Sequence, residues 1–151
     1  MNYSDLLWAC RRVSDLSSLE MYQILQMRNK IFVVEQQCIY QDCDERDLVA
    51  FHLTAKANDI LLAYSRLLPP GTPYPGFASI GRVAVEFAER RNGLGKMLML
   101  ESIKRIHELF GDISIKISAQ YHLRDFYSQL GFVISGEIYL EDGIPHISMV
   151  K

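Results

Sequence analysis

The order of apolar patterns along the chain predicts a single α/β layered domain over residues 1–151. Three observations carry that expectation. An apolar run, Phe77 to Val85, passes through a charged turn, Glu86 to Arg90, into a helical pattern that opens on Gly93 and Gly95, so a strand feeds a helix directly. Apolar runs flank two turn signals, Ala57-Asn58-Asp59 and Glu141-Asp142-Gly143-Ile144, which predict antiparallel hairpins. Strict alternation of Ile113, Ile115 and Ile117 with Ser114, Lys116 and Ser118 predicts a strand with one buried face.

From the N-terminus, Leu6 to Val13 predicts a first strand, with Trp8 and Cys10 on one face. Asp15 and Ser17 are candidate N-caps for a helical pattern from Leu19 to Gln36. The β-branched stretch Ile31 to Val34 weakens the end of that pattern, so two helices or one kinked helix are expected. Gln36 to Asp47 carries Asp42, Asp44, Glu45 and Asp47 and predicts a loop, either a solvated acidic surface or a wall that attracts a cation. Leu48 to Lys56 and Ile60 to Leu68 form the first predicted hairpin. Four of the five prolines crowd positions 69–76, where no regular structure survives, so a long surface loop precedes the central strand. The helix from Gly93 puts Met99, Ser102, Ile103, Ile106 and Phe110 on one face and Glu101, Lys104 and Glu108 opposite, as packing on a sheet requires. A strand at Asp112 to Ser118, a helix from Tyr121 to Leu130 stopped by Gly131, and strands at Phe132 to Leu140 and His146 to Val150 complete the chain. The sum is a mixed, mostly antiparallel sheet of about 6–7 strands flanked by about 4 helices.

At 49% hydrophobic and 23% charged residues, the composition is that of a soluble globular protein long enough to bury one core. A net charge of −2, with no Lys/Arg-rich stretch, argues against nucleic acid or an anionic membrane as partner. No apolar run approaches the roughly 18 residues that span a bilayer, and no basic region precedes an apolar core at the N-terminus, so a cytoplasmic location is expected. Cys10, Cys38 and Cys43 are expected as free thiols. Cys38 and Cys43 with His52 match no common zinc spacing, and no metal is expected.

The chemistry is expected at Arg90-Arg91-Asn92-Gly93-Leu94-Gly95-Lys96. Gly93 and Gly95 lack a Cβ, so the backbone can come close to a bound anion, toward which the free N–H groups of the first helical turn point. The helix dipole adds partial positive charge, and Arg90, Arg91 and Lys96 add full charges. The plain alternative is a turn that merely starts a helix. A P-loop is disfavoured because GxxxxGKS or GxxxxGKT is absent, and a dinucleotide fold because no GxGxxG follows the first strand of a βαβ unit.

Arg90, Gly93 and Gly95, set between strand and helix, match a pattern of Gln or Arg, two positions, Gly, one position, then Gly or Ala. This resembles the coenzyme A loop of the GCN5-related N-acetyltransferases, the GNAT superfamily. Gln120, Leu123, Phe126, Tyr127, Gly131 and Phe132 match a second block of that family, with Gln120 standing where the family has Asn. Residues 31–41, 80–85, 119–127 and 136–147 are together similar to the ElaA-like branch. The resemblance implies the acyl-CoA N-acyltransferase fold, in which the strand before the loop and the strand after its helix splay apart to admit the cofactor. It implies acetyl-CoA as cosubstrate and no metal. The main chain of the loop would hold the pyrophosphate and Gln120 the pantetheine arm. A bulge at Val83, Ala84 and Val85 would leave N–H groups for the thioester carbonyl.

Acetyl transfer needs a deprotonated amine, a stabiliser for the oxyanion and an acid for the leaving thiolate. Tyr127 is the expected acid, because a phenol of pKa about 10 is protonated at neutral pH. Glu35, His52, Glu137 and His146 are candidate bases, with water as a further option, and Glu35 and His52 alternatively recognise the acceptor. Glu35, Arg82 and His146 are expected at the acceptor site; Arg82, a charge inside an apolar strand, pairs with Glu35 or another acid or binds an acceptor carboxylate. Neither Cys38 nor Cys43 has a visible His/Asp partner, so direct transfer in a ternary complex is simpler than an acyl-enzyme. The expected function is transfer of an acetyl group from acetyl-CoA to a primary amine of a small molecule or peptide. The alternative is an acyl-CoA-binding or sensing module without turnover. A second copy of the chain, as a homodimer, is a further candidate partner.

Overall fold

In a computed structural model, which describes residues 3–151, the strands divide into two sheets that meet along one seam. The α-helices are α1 (Ser18–Arg28), α2 (Arg46–Val49), α3 (Leu94–Phe110) and α4 (Arg124–Ser128). The first sheet has the antiparallel order β1 (Leu7–Arg12), β2 (Phe51–Ala57), β3 (Ile60–Leu68), β4 (Ser79–Val85). Asn58 and Asp59 join β2 to β3 with φ of 48° and 63°, the pair of left-handed residues that a tight hairpin requires. β3 is apolar almost throughout because both its faces are covered. On one face Leu94, Leu98, Met99, Ile103 and Ile106 of α3 pack with Leu53, Leu67 and Ile80. On the other, Ile24, Met27, Ile31 and Phe32 pack with Leu61, Tyr64 and Ala84.

The second sheet is built on β8 (Ile144–Val150). β5 (Lys116–Gln120) pairs along one edge of it, and β6 (Val133–Ile134) and β7 (Tyr139–Glu141) pair along the other. The turn into β8 uses Asp142 and Gly143 at φ 50° and 77°, as the Asp-Gly signal predicts.

The expected fold class stands, with local corrections. Ser17 is the cap of α1: its Oγ accepts from Glu20 N at 3.2 Å while Glu20 returns a bond to Ser17 N at 2.9 Å. The kink after α1 is a π-helical segment, Asn29–Glu35, in which Gln36 N reaches back to Ile31 O and Cys38 N to Val33 O at 3.3 and 3.0 Å. Leu48 and Val49 end a helix instead of starting a strand, because Asp47 beside them is drawn into a buried cluster of arginines. The predicted strand Phe132 to Leu140 breaks into β6 and β7 around Gly136 (φ 136°), which brings the strands among the described residues to eight. The alternating isoleucines begin before β5, with Ile115 bridging in parallel to Ala78.

Candidate active site

The seam between the sheets makes the site. Ala78 N donates to Ser114 O at 3.1 Å and Lys116 N to Ala78 O at 2.9 Å, closing the seam at one end. Past that bridge β4 and β5 share no ladder and separate. A cleft of about 730 Å³ lies between them, walled by Ser79 to Val85 on one side and by Ile117, Ser118 and Gln120 on the other.

β4 is bulged inside this cleft. Its pairing with β3 runs from Tyr64–Ala84 to Arg66–Gly81, so Arg82 and Val83 face a single residue and part of the β4 main chain is left out of the ladder. Arg82 sits in the bulge at φ 50°, a conformation rare for a long side chain. Its Nε donates to Asp42 at 2.6 Å and its guanidinium lies 5.8 Å from the Tyr40 ring centre. Its partner is therefore Asp42, not Glu35. Val83 and Val85 are half-buried and Ala84 is buried; all three line the cleft.

One end of the cleft is the N-terminus of α3. Gly93 is its N-cap at φ 89°, following Arg91 at φ 65°, and no side chain caps the first turn. The first-turn N–H groups of Leu94, Gly95 and Lys96 have no acceptor within the helix and are open to an anion. The Leu94 side chain is fully buried and anchors the turn, so only its main chain is available. A Cβ on Gly95 would stand 3.9 Å from both Phe126 and Val85, so a glycine keeps this slot wide. Arg91, Asn92 and Lys96 are exposed, and among the described residues Arg91 and Lys96 have no ion-pair partner. Arg90 is engaged: Nε donates to Val85 O at 3.0 Å and Nη2 to Glu35 Oε2 at 2.9 Å. That guanidinium holds the Glu35 carboxyl below the usual carboxylate range.

On the opposite wall, Gln120 donates through Nε2 to Gln36 Oε1 at 3.3 Å. Tyr127 of α4 is buried edge-on between Phe126 and Phe132, with ring centres 5.1 and 6.1 Å away. Burial pushes its phenol up to about 12, and its hydroxyl has no hydrogen-bond partner among the described residues. His146 stands opposite Gln120 in the β5–β8 register and also lines the cleft.

Two expectations are corrected. His52 is wholly buried and does not reach the cleft: Nδ1 accepts from Tyr64 OH at 2.8 Å and Nε2 donates to Asp47 O at 3.0 Å. Burial lowers its pKa, so it is a satisfied neutral core histidine with no role as base or in acceptor recognition. Two of the four acids of the loop, Asp42 and Asp47, form neither a solvated surface nor a free anionic wall, while Glu45 is exposed. Asp42 accepts from Arg28, Tyr40 and Arg82 at 2.7, 2.8 and 2.6 Å, and Asp47 from Arg28 and Arg66 at 2.6 and 2.9 Å. Burial alone would raise both carboxyls; Arg28, with Arg82 at Asp42 and Arg66 at Asp47, outweighs it and holds both below the usual range.

Sequence reasoning missed other lining residues, among them Phe32 and Gln36 of the first long helical segment, Tyr40, Tyr74 and Glu141. Only the β-branched stretch that marks the π segment signalled any of them, since that segment turns Phe32, Glu35 and Gln36 toward the cleft. Among the described residues no three His, Cys, Asp or Glu side chains converge as metal ligands, and no helix is long and apolar enough to cross a membrane.

The acetyltransferase (GNAT) domain family matches residues 22–151. The crystal structure of an acyl-CoA N-acyltransferase from Pseudomonas aeruginosa superposes with a TM-score of 0.91 at 44% identity, covering 97% of this chain and 99% of that one. Escherichia coli ElaA superposes with a TM-score of 0.90 at 38% identity, covering 97% and 99% of the two chains. A UPF0039 protein of Synechocystis is 40% identical over 144 residues, 95% of this chain and 93% of that protein. The splayed strands, the bulge and the uncapped glycine turn thus sit in a chain that belongs to the GNAT acetyltransferase family, in the group of ElaA and the UPF0039 proteins.

Proposed function

We propose that this protein transfers an acetyl group from acetyl-CoA to a primary amine of a small molecule or peptide, by direct attack in a ternary complex. The observation that carries the proposal is continuity: one cleft runs from the uncapped first turn of α3, past the bulge of β4, to Tyr127 and His146. The pyrophosphate of the cofactor takes the N–H groups of Gly93 to Lys96, with Arg91, Asn92 and Lys96 at the rim and Arg90 joining them when it exchanges Glu35 for phosphate. The pantetheine arm lies along β4 and meets Gln120. Main-chain N–H groups of Val83 to Val85, released by the bulge, bond the thioester carbonyl and the oxyanion that forms from it.

Tyr127 supplies the proton that the departing thiolate takes. Its raised pKa keeps it protonated across the neutral range, and its hydroxyl has no competing acceptor among the described residues. The amine enters beside Glu35, Arg82 and His146. Arg82, neutralised by Asp42, shapes this end and does not offer a free cation. Cys38 donates its thiol to Asp142 O at 3.4 Å and has no histidine partner among the described residues, which favours direct transfer over an acyl-enzyme.

The test is incubation of the protein with acetyl-CoA and a panel of primary amines, following free thiol and the mass of the amine. Thiol released in step with an acetylated amine is the expected result. Binding of acetyl-CoA with no thiol release from any amine would replace this reading with a sensing module.

A further inference from the structure

We propose that His146 accepts the proton of the incoming amine and that Glu141 is the residue that positions it and supports its charge, an inference that rests on the acetyl-transfer reading above. His146 Nδ1 lies 2.7 Å from the Ile144 carbonyl oxygen, which can only accept. The ring proton therefore sits on Nδ1, and the neutral imidazole carries its lone pair on Nε2. Glu141 Oε2 lies 3.6 Å from Nε2. Glu141 is itself held in place: Ser118 Oγ donates to that same oxygen at 2.8 Å, and Ser118 is also hydrogen-bonded to the Tyr139 hydroxyl. Tyr139, the cross-strand neighbour of His146, stacks on the imidazole with ring centres 6.1 Å apart and planes at 24°.

The ring is thus fixed by a carbonyl and a stacked phenol, with one nitrogen left over. Taking a proton there turns the contact with Glu141 into an ion pair, so the arrangement favours the charge that deprotonating an ammonium creates. Glu141 and Tyr139 on β7 contact the imidazole, and β5, on its other side, presents Ser118 and Gln120, which do not titrate; the same cleft is also lined by His122 from the turn after β5, by Asp142 of the β7–β8 turn, and by Arg46 and Tyr74. Gln120 directly opposite places His146 beside the thioester end of the pantetheine path. Of the other bases expected, His52 is sealed in the core, Glu137 is exposed and lines no part of the cleft, and Glu35 faces Arg90 of the cradle loop from the end of the π segment.

The step balances without a further reagent. The acceptor ammonium gives one proton to Nε2, and the nitrogen lone pair so freed forms the bond to the thioester carbon. The C–S bond then breaks, the thiolate takes the Tyr127 proton, and the extra proton on the amide nitrogen returns to the tyrosinate through solvent. Imidazolium discharges to solvent, for a net release of amide, thiol and one proton.

The experiment compares wild type, His146→Gln and Glu141→Gln, with acetyl-CoA and n-butylamine, spermidine and lysine amide as probes, over about pH 6 to 9. His146→Gln is expected to lower kcat/KM for the amine by about a hundredfold. That loss should shrink as pH rises and more amine arrives deprotonated, while calorimetric affinity for acetyl-CoA stays within about twofold. Glu141→Gln is expected to move the acid limb of the rate profile to lower pH. An unchanged rate and profile in His146→Gln overturns the proposal and leaves acetyl transfer standing. A wild type that turns over none of the amines takes down the acetyl-transfer reading and the base with it. If His146→Gln does not fold, Glu141→Gln decides: an unmoved acid limb of the rate profile overturns the assignment.

Discussion

Arg90 and Glu35, 55 residues apart in the chain, join across the mouth of the cleft, Nη2 to Oε2 at 2.9 Å, with the second prong from Nη1 to Oε1. The pair ties the cradle loop to the end of the π segment, so the guanidinium best placed for a phosphate is already held by a carboxylate. An exposed pair of this kind contributes about 0.2–1 kcal/mol. Glu35→Gln is therefore expected to tighten acetyl-CoA binding by up to about fivefold and to steepen its salt dependence, because Arg90 no longer has to leave a carboxylate. Isothermal titration at two salt concentrations reads both. Weaker binding in the variant would mean that the pair holds the cradle in shape and does not compete with the cofactor.

Tyr127→Phe separates chemistry from folding. The hydroxyl has no partner among the described residues, so its loss costs little stability and the melting temperature should move by no more than about 2 °C. Loss of the acid should lower kcat by about a hundredfold with the KM for acetyl-CoA nearly unchanged. Full activity in the variant removes Tyr127 from the acid role.

Gly93 tests the cradle in two steps. Nothing lies within 4 Å of a Cβ built on it, so Gly93→Ala meets only the strain of φ 89°, about 1 kcal/mol. Acetyl-CoA affinity should survive within about threefold if the turn keeps its shape. Gly93→Asp adds a negative charge at the proposed pyrophosphate site, and affinity should fall by about tenfold or more. Equal affinities in the two variants would place the anion elsewhere.

The buried cluster of Arg28, Arg66, Asp42 and Asp47 fixes the acid limit of the fold. Both carboxyls are lowered in the folded state, so their stabilisation is present above the ordinary carboxyl pKa of about 4 and is lost as pH falls through the folded values. Melting temperature should therefore hold from neutral pH down to about 4 and drop below it. Asp47→Asn strands buried guanidinium charge and should cost about 3–5 kcal/mol at pH 7, seen in urea unfolding. A cost below about 1 kcal/mol would show the cluster to be solvated.

Local patterns carried most of the fold. The hairpin turns and the Gly-opened helix are short-range signals, and each appears where spacing placed it, whereas the strand expected from the alternation around Ile115 is displaced toward the C-terminus, to Lys116–Gln120. The errors at Asp47 and His52 share a cause: one reads as part of an acidic loop and the other as a site residue because their partners lie on other elements, Arg28 and Arg66 for one and Tyr64 for the other. A buried ion cluster leaves no period in a sequence. For the same reason Glu141 was legible only as part of a turn, and its contact with His146 emerges only once β7 and β8 pair.

The most direct test of the account is a calorimetric titration of the folded protein with acetyl-CoA, run beside ATP and NADH. One-site binding of acetyl-CoA in the micromolar range, with neither nucleotide competing, is the predicted result. A folded protein that binds no acetyl-CoA would contradict the account and leave only the scaffold in common with its family.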